Sequence, residues 1–220
     1  MKNKILKVKD PGSALTHFIG MILAILAATP LLLKAAKGIN SSYLGAFVVF
    51  IVSMICLYGA STIYHTFDIS EKINIILRKL DHAMIFVLIA GSYTPICMIV
   101  LPKSIGIPLL ATVWGITIAG TIFKLCWINC PHWLSSVMYI GMGWLVVFAF
   151  SSIMKSLSHA AFMWLLIGGI IYTVGGIIYA LKLPLLARFN WKNFGNHELF
   201  HVFVMLGSLC HFILVYCFLA

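Results

Sequence analysis

The stretch Asn196-His197-Glu198-Leu199-Phe200-His201 sets two imidazoles and a carboxylate at the mouth of an apolar run that continues to Ala220. On a helix, residues four apart share one face about 6 Å apart. His197 and His201 can therefore each offer a neutral nitrogen to one metal ion, as the His-Glu-x-x-His zinc motif does. The plain alternative is two polar residues satisfied by backbone or water at a membrane boundary. Ionisable groups in a spanning segment cost about 2.5 to 3.5 kcal/mol each and tend to mark function. A metal reading needs a third ligand, and Ser61-x3-His65 and Asp81-His82 supply candidates. Three neutral imidazoles with one open position make a catalytic-type zinc site, and zinc brings the pKa of its water to about 7, ready to attack an amide or ester carbonyl. In that arrangement His65, His197 and His201 are the ligands and Asp81 is the general base. Ser61, one turn from His65, orients Asp81 or the substrate oxygen. A closed structural zinc site, bracing the second, third and seventh helices, would use the same residues, and both versions stay open at this level.

These residues can meet only if the chain folds as an integral membrane protein. Its 220 residues are 62% hydrophobic and 9% charged, against roughly 25% charged residues in a soluble domain. Apolar runs near 14–33, 43–66, 81–101, 105–123, 133–154, 159–181 and 197–219 each approach the ~20 residues that cross ~30 Å of hydrocarbon. The expected fold is all-α: a seven-transmembrane helix bundle, with residues 1–13 as a basic tail and 14–220 as the transmembrane domain. In such a serpentine the beginnings of helices one, three and seven and the end of helix two share one membrane face. His17, Ser61, His65, Asp81, His197 and His201 are thereby brought to one depth. The opening residues 1–10 are not expected to form a signal peptide, since the run that follows is about twenty residues long, contains His17 and precedes further spans.

The net charge of +10 does not point to nucleic acid, because the basic residues lie in short connections. They read as topology signals and as contacts to anionic lipid. With the N-terminus inside, one face carries eleven: Lys2, Lys4, Lys7, Lys9, Lys72, Arg78, Lys79, Lys124, Lys182, Arg188 and Lys192. The other carries four: Lys34, Lys37, Lys103 and Lys155. That bias predicts a cytoplasmic N-terminus and an external C-terminus. Cys56, Cys97, Cys210 and Cys217 fall in apolar runs and read as small buried hydrophobes.

Several local features carry their own expectations. Ser13 is a plausible N-cap for the first helix, Pro30 should kink or end it, and Asp81 stands where an acid favours a helix N-terminus. Residues 68–79 read as a charged connection. Pro95 frees a carbonyl that can bend the third helix and shape a cavity. Gly168, Gly169, Gly175 and Gly176, and the pair Gly141 and Gly143, suggest smooth faces for close helix approach. Cys126-x3-Cys130-x-His132 is a weaker metal set, interrupted by Pro131. A metalloprotease using Glu198 as base is disfavoured: no acid follows His201, and Glu198 points about 100° from the face of His197. His82 is turned away from Asp81 in the same manner. His211 lies some 21 Å deeper than His197, too far for the same ion, and is expected to bind a neighbouring helix rather than line a cavity.

Ser61-x3-His65, Asp81-His82, and His197-x3-His201 followed by Gly207-Ser208-x-Cys210-His211-Phe212 resemble the hemolysin III family of bacterial membrane proteins. That family belongs with the progestin and adipoQ receptors, including the adiponectin receptors, and is more distantly similar to alkaline ceramidases. Ala90-Gly91-Ser92-Tyr93-Thr94-Pro95 and Gly141-Met142-Gly143-Trp144-Leu145 extend the resemblance, which covers about residues 10–216. It implies zinc held by His65, His197 and His201, with Asp81 as partner of the metal-bound water, in seven helices with a cytoplasmic N-terminus. The first helix departs from the family pattern: Asp10 and Ser13 stand where an acid and then Asn are frequent, and Phe18 where Gly is common, while His17 is retained.

The expected protein is therefore a resident of the bacterial cell membrane whose cofactor is zinc and whose partners are membrane lipids, with no soluble partner evident. It acts on or senses lipid, with hydrolysis of a lipid amide or ester as its chemistry. The alternative is a non-enzymatic regulator with structural zinc. A secreted cytolysin is disfavoured, because a chain this apolar has no soluble form of its own.

Overall fold

The computed structural model describes residues 8–181 and 194–220, so Lys2, Lys4, Lys7, Lys182, Arg188 and Lys192 of the charge argument lie outside the described residues. All regular structure among the described residues is helical. Helix α1 spans Pro11–Lys37; α2 spans Leu44–Thr66 after a single 3-10 turn at Ser41–Tyr43; α3 spans Glu71–Pro95 and continues as a π-helical turn, Ile96–Val100. Helix α4 spans Lys103–Cys126. The fifth crossing is composite, with α5 (His132–Gly143), a 3-10 segment (Trp144–Ala149) and α6 (Phe150–Ser156). Helix α7 spans His159–Leu181, and α8 spans Asn196–Leu214 with a terminal π turn, Val215–Leu219. Among the described residues, seven segments are long and apolar enough to cross a membrane.

The buried positions of α1, among them Ser13, His17, Gly20, Ala24, Leu31 and Ala35, recur every three to four residues, the spacing of one helix face. That face meets α2 and α8. Helix α3 packs on α2, α4 on α3, α5 on α7, and α7 on α8, so α8 returns the last crossing to the first. One core, between α1, α2 and α8, is built on Leu31, Phe47, Phe50, Leu57, Tyr58 and Val204; a second, between α3, α4, α5 and α6, on Phe86, Tyr93, Val113, Met142 and Ile153.

Four local expectations are corrected. Helix α1 starts at Pro11 with Asp10 at the cap and no side-chain cap bond; the Ser13 hydroxyl donates instead to Glu198 Oε1 on α8. Pro30 does not break α1, because Leu31 and Ala35 beyond it are fully buried and hold the last two turns against the core. Helix α3 opens ten residues before Asp81, capped by Ser70, which accepts from the Ile73 N–H. Most of the charged connection is therefore helix, about 15 Å of it before Asp81, and Arg78 ties it to Asn129 at 2.9 Å. Asp81 owes nothing to a helix end. Finally, no neighbour among the described residues lies within 4 Å of a Cβ built on Gly141, Gly143 or Gly169, whereas Gly168, Gly175 and Gly176 do admit His211, Phe203 and Ile140. The α-helical run of α3 ends at Pro95, and the ladder widens there into the π turn.

Candidate metal centre

Three imidazoles converge where α2 ends and α8 begins. The ligand atoms of His65, His197 and His201 all lie within 4.8 Å of one another, and the Nε2 atoms of His65 and His197 are 3.1 Å apart. Two nitrogens bound to one tetrahedral zinc at 2.0–2.1 Å stand about 3.3 Å apart, so the first pair already has the spacing of ligands sharing an ion. His65 and His201 are 4% and 2% exposed.

The ring orientations of two of the three are set from outside the cluster. His65 Nδ1 is 3.0 Å from Asp10 Oδ2; since a carboxylate only accepts, Nδ1 carries the proton and Nε2 keeps its lone pair. The same segment is pinned by Asp10 N–H on His65 O (2.9 Å) and Lys9 N–H on Thr66 O (3.2 Å), which satisfies two end carbonyls of α2. His201 Nδ1 is 3.1 Å from Thr16 Oγ1. The Thr16 hydroxyl spends its only proton on Ser13 O at 2.9 Å, so it accepts from His201 Nδ1–H, and Nε2 again faces the cluster with a lone pair. Outer partners that fix the tautomer in this way are the usual companions of metal-binding histidines.

Around the three stand further polar groups. His17 lies flat on His201, with ring centroids 3.6 Å apart, and among the described residues neither of its ring nitrogens has a partner; the Ser61 hydroxyl, fully buried, has none there either. Buried polar atoms are rarely left unsatisfied, so the Ser61 hydroxyl fits a water held by a metal ion, while His17 meets the centre through the stacked face of its ring. Asp81, 5% exposed, has its Oδ2 3.2 Å from His82 Nδ1. His82 Nδ1 also reaches Arg78 O at 2.9 Å, and a carbonyl only accepts, so the Nδ1 proton goes to Arg78 with the Asp81 carboxylate close beside it. A vestibule of ≈ 340 Å³ opens on the cluster, with Tyr64, Arg78, His132 and Tyr179 in its wall beside His65, His82, Asn196 and His197.

Glu198 faces elsewhere: Oε2 accepts the Gly195 N–H at 2.8 Å, Oε1 accepts from Ser13, and the carboxylate closes the start of α8 against α1. The Cys126, Cys130 and His132 set does not converge. Cys126 is exposed, Cys130 meets the buried Lys124 ammonium at 3.0 Å, and His132 Nδ1 is 2.9 Å from the Tyr179 hydroxyl. His211 stacks on Tyr172 of α7 (centroids 5.4 Å apart), as a helix-bridging residue would, but it also lines a cavity.

That cavity, of ≈ 380 Å³, runs between α3, α5, α7 and α8 and is walled almost wholly by apolar and aromatic side chains. Phe200, which stands between two of the imidazoles in sequence, and Tyr139, whose hydroxyl donates to His82 O at 3.1 Å, belong to its wall. Sequence reasoning missed Asp10, Thr16 and the engagement of His82 with Asp81. Thr16 is legible only as the neighbour of His17, and Asp10 only as an acid ahead of a span, at a place where the resemblance puts an acid.

Residues 6–212 match the family described as haemolysin-III related. The chain is 38% identical over 212 residues to a hemolysin-3 homolog of Bacillus subtilis (strain 168), covering 95% of this chain and 94% of that protein. It is 38% identical over 208 residues to hemolysin-3 of Bacillus cereus, covering 94% and 90%. An adiponectin receptor protein of Drosophila melanogaster is 24% identical over 220 residues, covering 92% of this chain and 49% of the receptor. With seven membrane-length helices and relatives of this extent, the chain belongs to the haemolysin-III-related family and is a multi-pass bacterial membrane protein.

Proposed function

We propose that this protein is a zinc-dependent hydrolase of membrane lipids, cleaving an amide or ester bond at the membrane face where α2 ends and α8 begins. The observation that carries the reading is the convergence of three imidazoles beside a buried carboxylate and an apolar cavity. An all-nitrogen set of neutral ligands suits zinc. Bound zinc supplies Lewis acidity and a water that loses its proton near neutral pH. His65, His197 and His201 hold the ion, Asp10 and Thr16 fix the rings of His65 and His201, and Asp81 receives the proton on its carboxylate while His82 steadies it. Ser61 offers its hydroxyl to Asp81 or to the carbonyl oxygen of the substrate. The cavity takes an acyl chain, and the vestibule admits water and releases the polar product. The excess of basic residues on this side of the sequence supports a cytoplasmic orientation of the site.

A second reading is favoured by the depth at which His65 and His201 are buried: zinc as a brace between α2 and α8 in a non-enzymatic regulator. The name hemolysin borne by the two Bacillus relatives does not lead here to a secreted pore, since seven apolar spans need a membrane.

The two readings part in one experiment. Purified protein in lipid nanodiscs is assayed on ceramide-like and acyl-amide lipids, with zinc content measured, as wild type, Asp81→Asn and His65→Ala. Catalysis predicts about one zinc per chain in wild type, zinc retained but turnover down at least ~100-fold in Asp81→Asn, and both lost in His65→Ala. No turnover in wild type with zinc-dependent stability identifies the brace, and full zinc in His65→Ala removes the ligand assignment.

A further inference from the structure

The cavity between α3, α5, α7 and α8 has an imidazole in its wall deep along the span of α8. His211 is 8% exposed and lines the cavity wall, and neither ring nitrogen has a hydrogen-bond partner among the described residues. Its nitrogens open on the cavity, whose wall offers them no partner, so a polar atom of a ligand there gains a hydrogen bond.

The ring is held in place by features that do not use its nitrogens. Tyr172 stacks on it with an interplanar angle of 26°, but the Tyr172 hydroxyl is committed to Ser208 at 2.8 Å, where Tyr58 also donates at 2.7 Å. Gly207 makes room for the Tyr172 ring, since a Cβ there would come within 2.7 Å of Cδ1. Gly168 does the same for His211: a Cβ would sit 2.9 Å from Nε2 and 2.8 Å from Cδ2. Most other polar side chains of the wall spend their protons elsewhere, Ser92 on Leu88 O at 2.8 Å among them. Tyr93 donates to Gly143 O and accepts from Val146 N–H. Thr173 donates to Gly169 O and accepts from Trp144. Ser136 keeps free capacity, but it stands one turn from Tyr139, at the end of the cavity beside the metal centre.

We propose that His211 makes this cavity selective for lipids whose acyl chain carries a hydroxyl or oxo group deep along its length. Ten residues of continuous α8 separate His201 from His211, about 15 Å along the axis. A ligand whose polar end lies at the metal centre thus brings chain carbons, not its headgroup, past His211. A neutral imidazole donates from one nitrogen and accepts at the other, so it serves a hydroxyl or a ketone. The proposal rests on the reading of the cavity as a lipid-chain site and not on hydrolysis.

The test measures equilibrium binding of stearate and of a hydroxystearate bearing its hydroxyl near mid-chain, with zinc-supplemented full-length protein in nanodiscs. Wild type is expected to bind the hydroxylated acid about fivefold more tightly, the equivalent of one net hydrogen bond. His211→Phe should erase the preference while still binding stearate, and His211→Gln should keep part of it. Lipid turnover is read on the same wild-type sample: a preference that His211→Phe erases, with no turnover in wild type, leaves this proposal standing while the hydrolase reading fails. Equal affinities in wild type, or an unchanged preference in His211→Phe, overturn the proposal. Binding of neither acid overturns it together with the lipid-chain reading of the cavity.

Discussion

The imidazole of His17 lies on that of His201 with planes 7° apart, and it reaches this position with both nitrogens unpartnered. It acts on the centre through packing. Stacking against His201 blocks one side of a ligand whose other constraint is the Thr16 hydroxyl, and together they leave Nε2 little freedom to turn away from the cluster.

Replacing His17 by Phe keeps an aromatic ring on His201 and removes two buried polar atoms, each of which costs about 1–3 kcal/mol when unsatisfied. The expected outcome is unchanged zinc content and a thermal midpoint equal to or above that of wild type. Loss of zinc in His17→Phe would instead make His17 a ligand.

Asp10 is the outer partner of His65. Removing it in Asp10→Ala frees the His65 ring to change tautomer and rotate. Loss of such a partner lowers metal affinity by about 10- to 100-fold, measured by competition with a chromogenic chelator. An affinity equal to wild type would show that the contact does not support the metal.

Glu198 is spent on the start of α8 and on Ser13, so Glu198→Gln, which can still accept from Gly195, should change zinc content and turnover by less than about twofold. The expected stability loss is about 0.5 kcal/mol. Turnover abolished with zinc still bound would restore Glu198 as the base of a metalloprotease.

Helices α2 and α3, which carry His65 and Asp81, touch where Gly91 meets Ser53, and a Cβ at 91 would collide with the Ser53 side chain. Gly91→Ala should cost about 1–3 kcal/mol as an overpacked contact. The double change Gly91→Ala with Ser53→Gly should recover most of it in thermal unfolding. Failure of the second substitution to restore stability would place the defect elsewhere.

Much of this protein is legible without coordinates. Segments of twenty apolar residues have only one way to satisfy their backbone in hydrocarbon, which is why all seven spans and their order could be read. Alternating crossings then carry His65, His197 and His201 to one membrane face whatever the packing, and His197 and His201 share a helix face by spacing alone. Other relationships needed the tertiary structure. Asp10 and His65 are 55 positions apart, Thr16 and His201 are 185 apart, and no periodicity encodes a contact of that kind. Pro30 and Asp81 were misjudged because each was weighed by local preference. Burial of Leu31 and Ala35 outweighs the one, and the early start of α3 at Glu71 removes the premise of the other. Composition and spacing determine which groups reach a common depth; only the packing of α1, α3 and α8 around the end of α2 decides which nitrogen each ring presents, because that depends on partners brought in from distant helices.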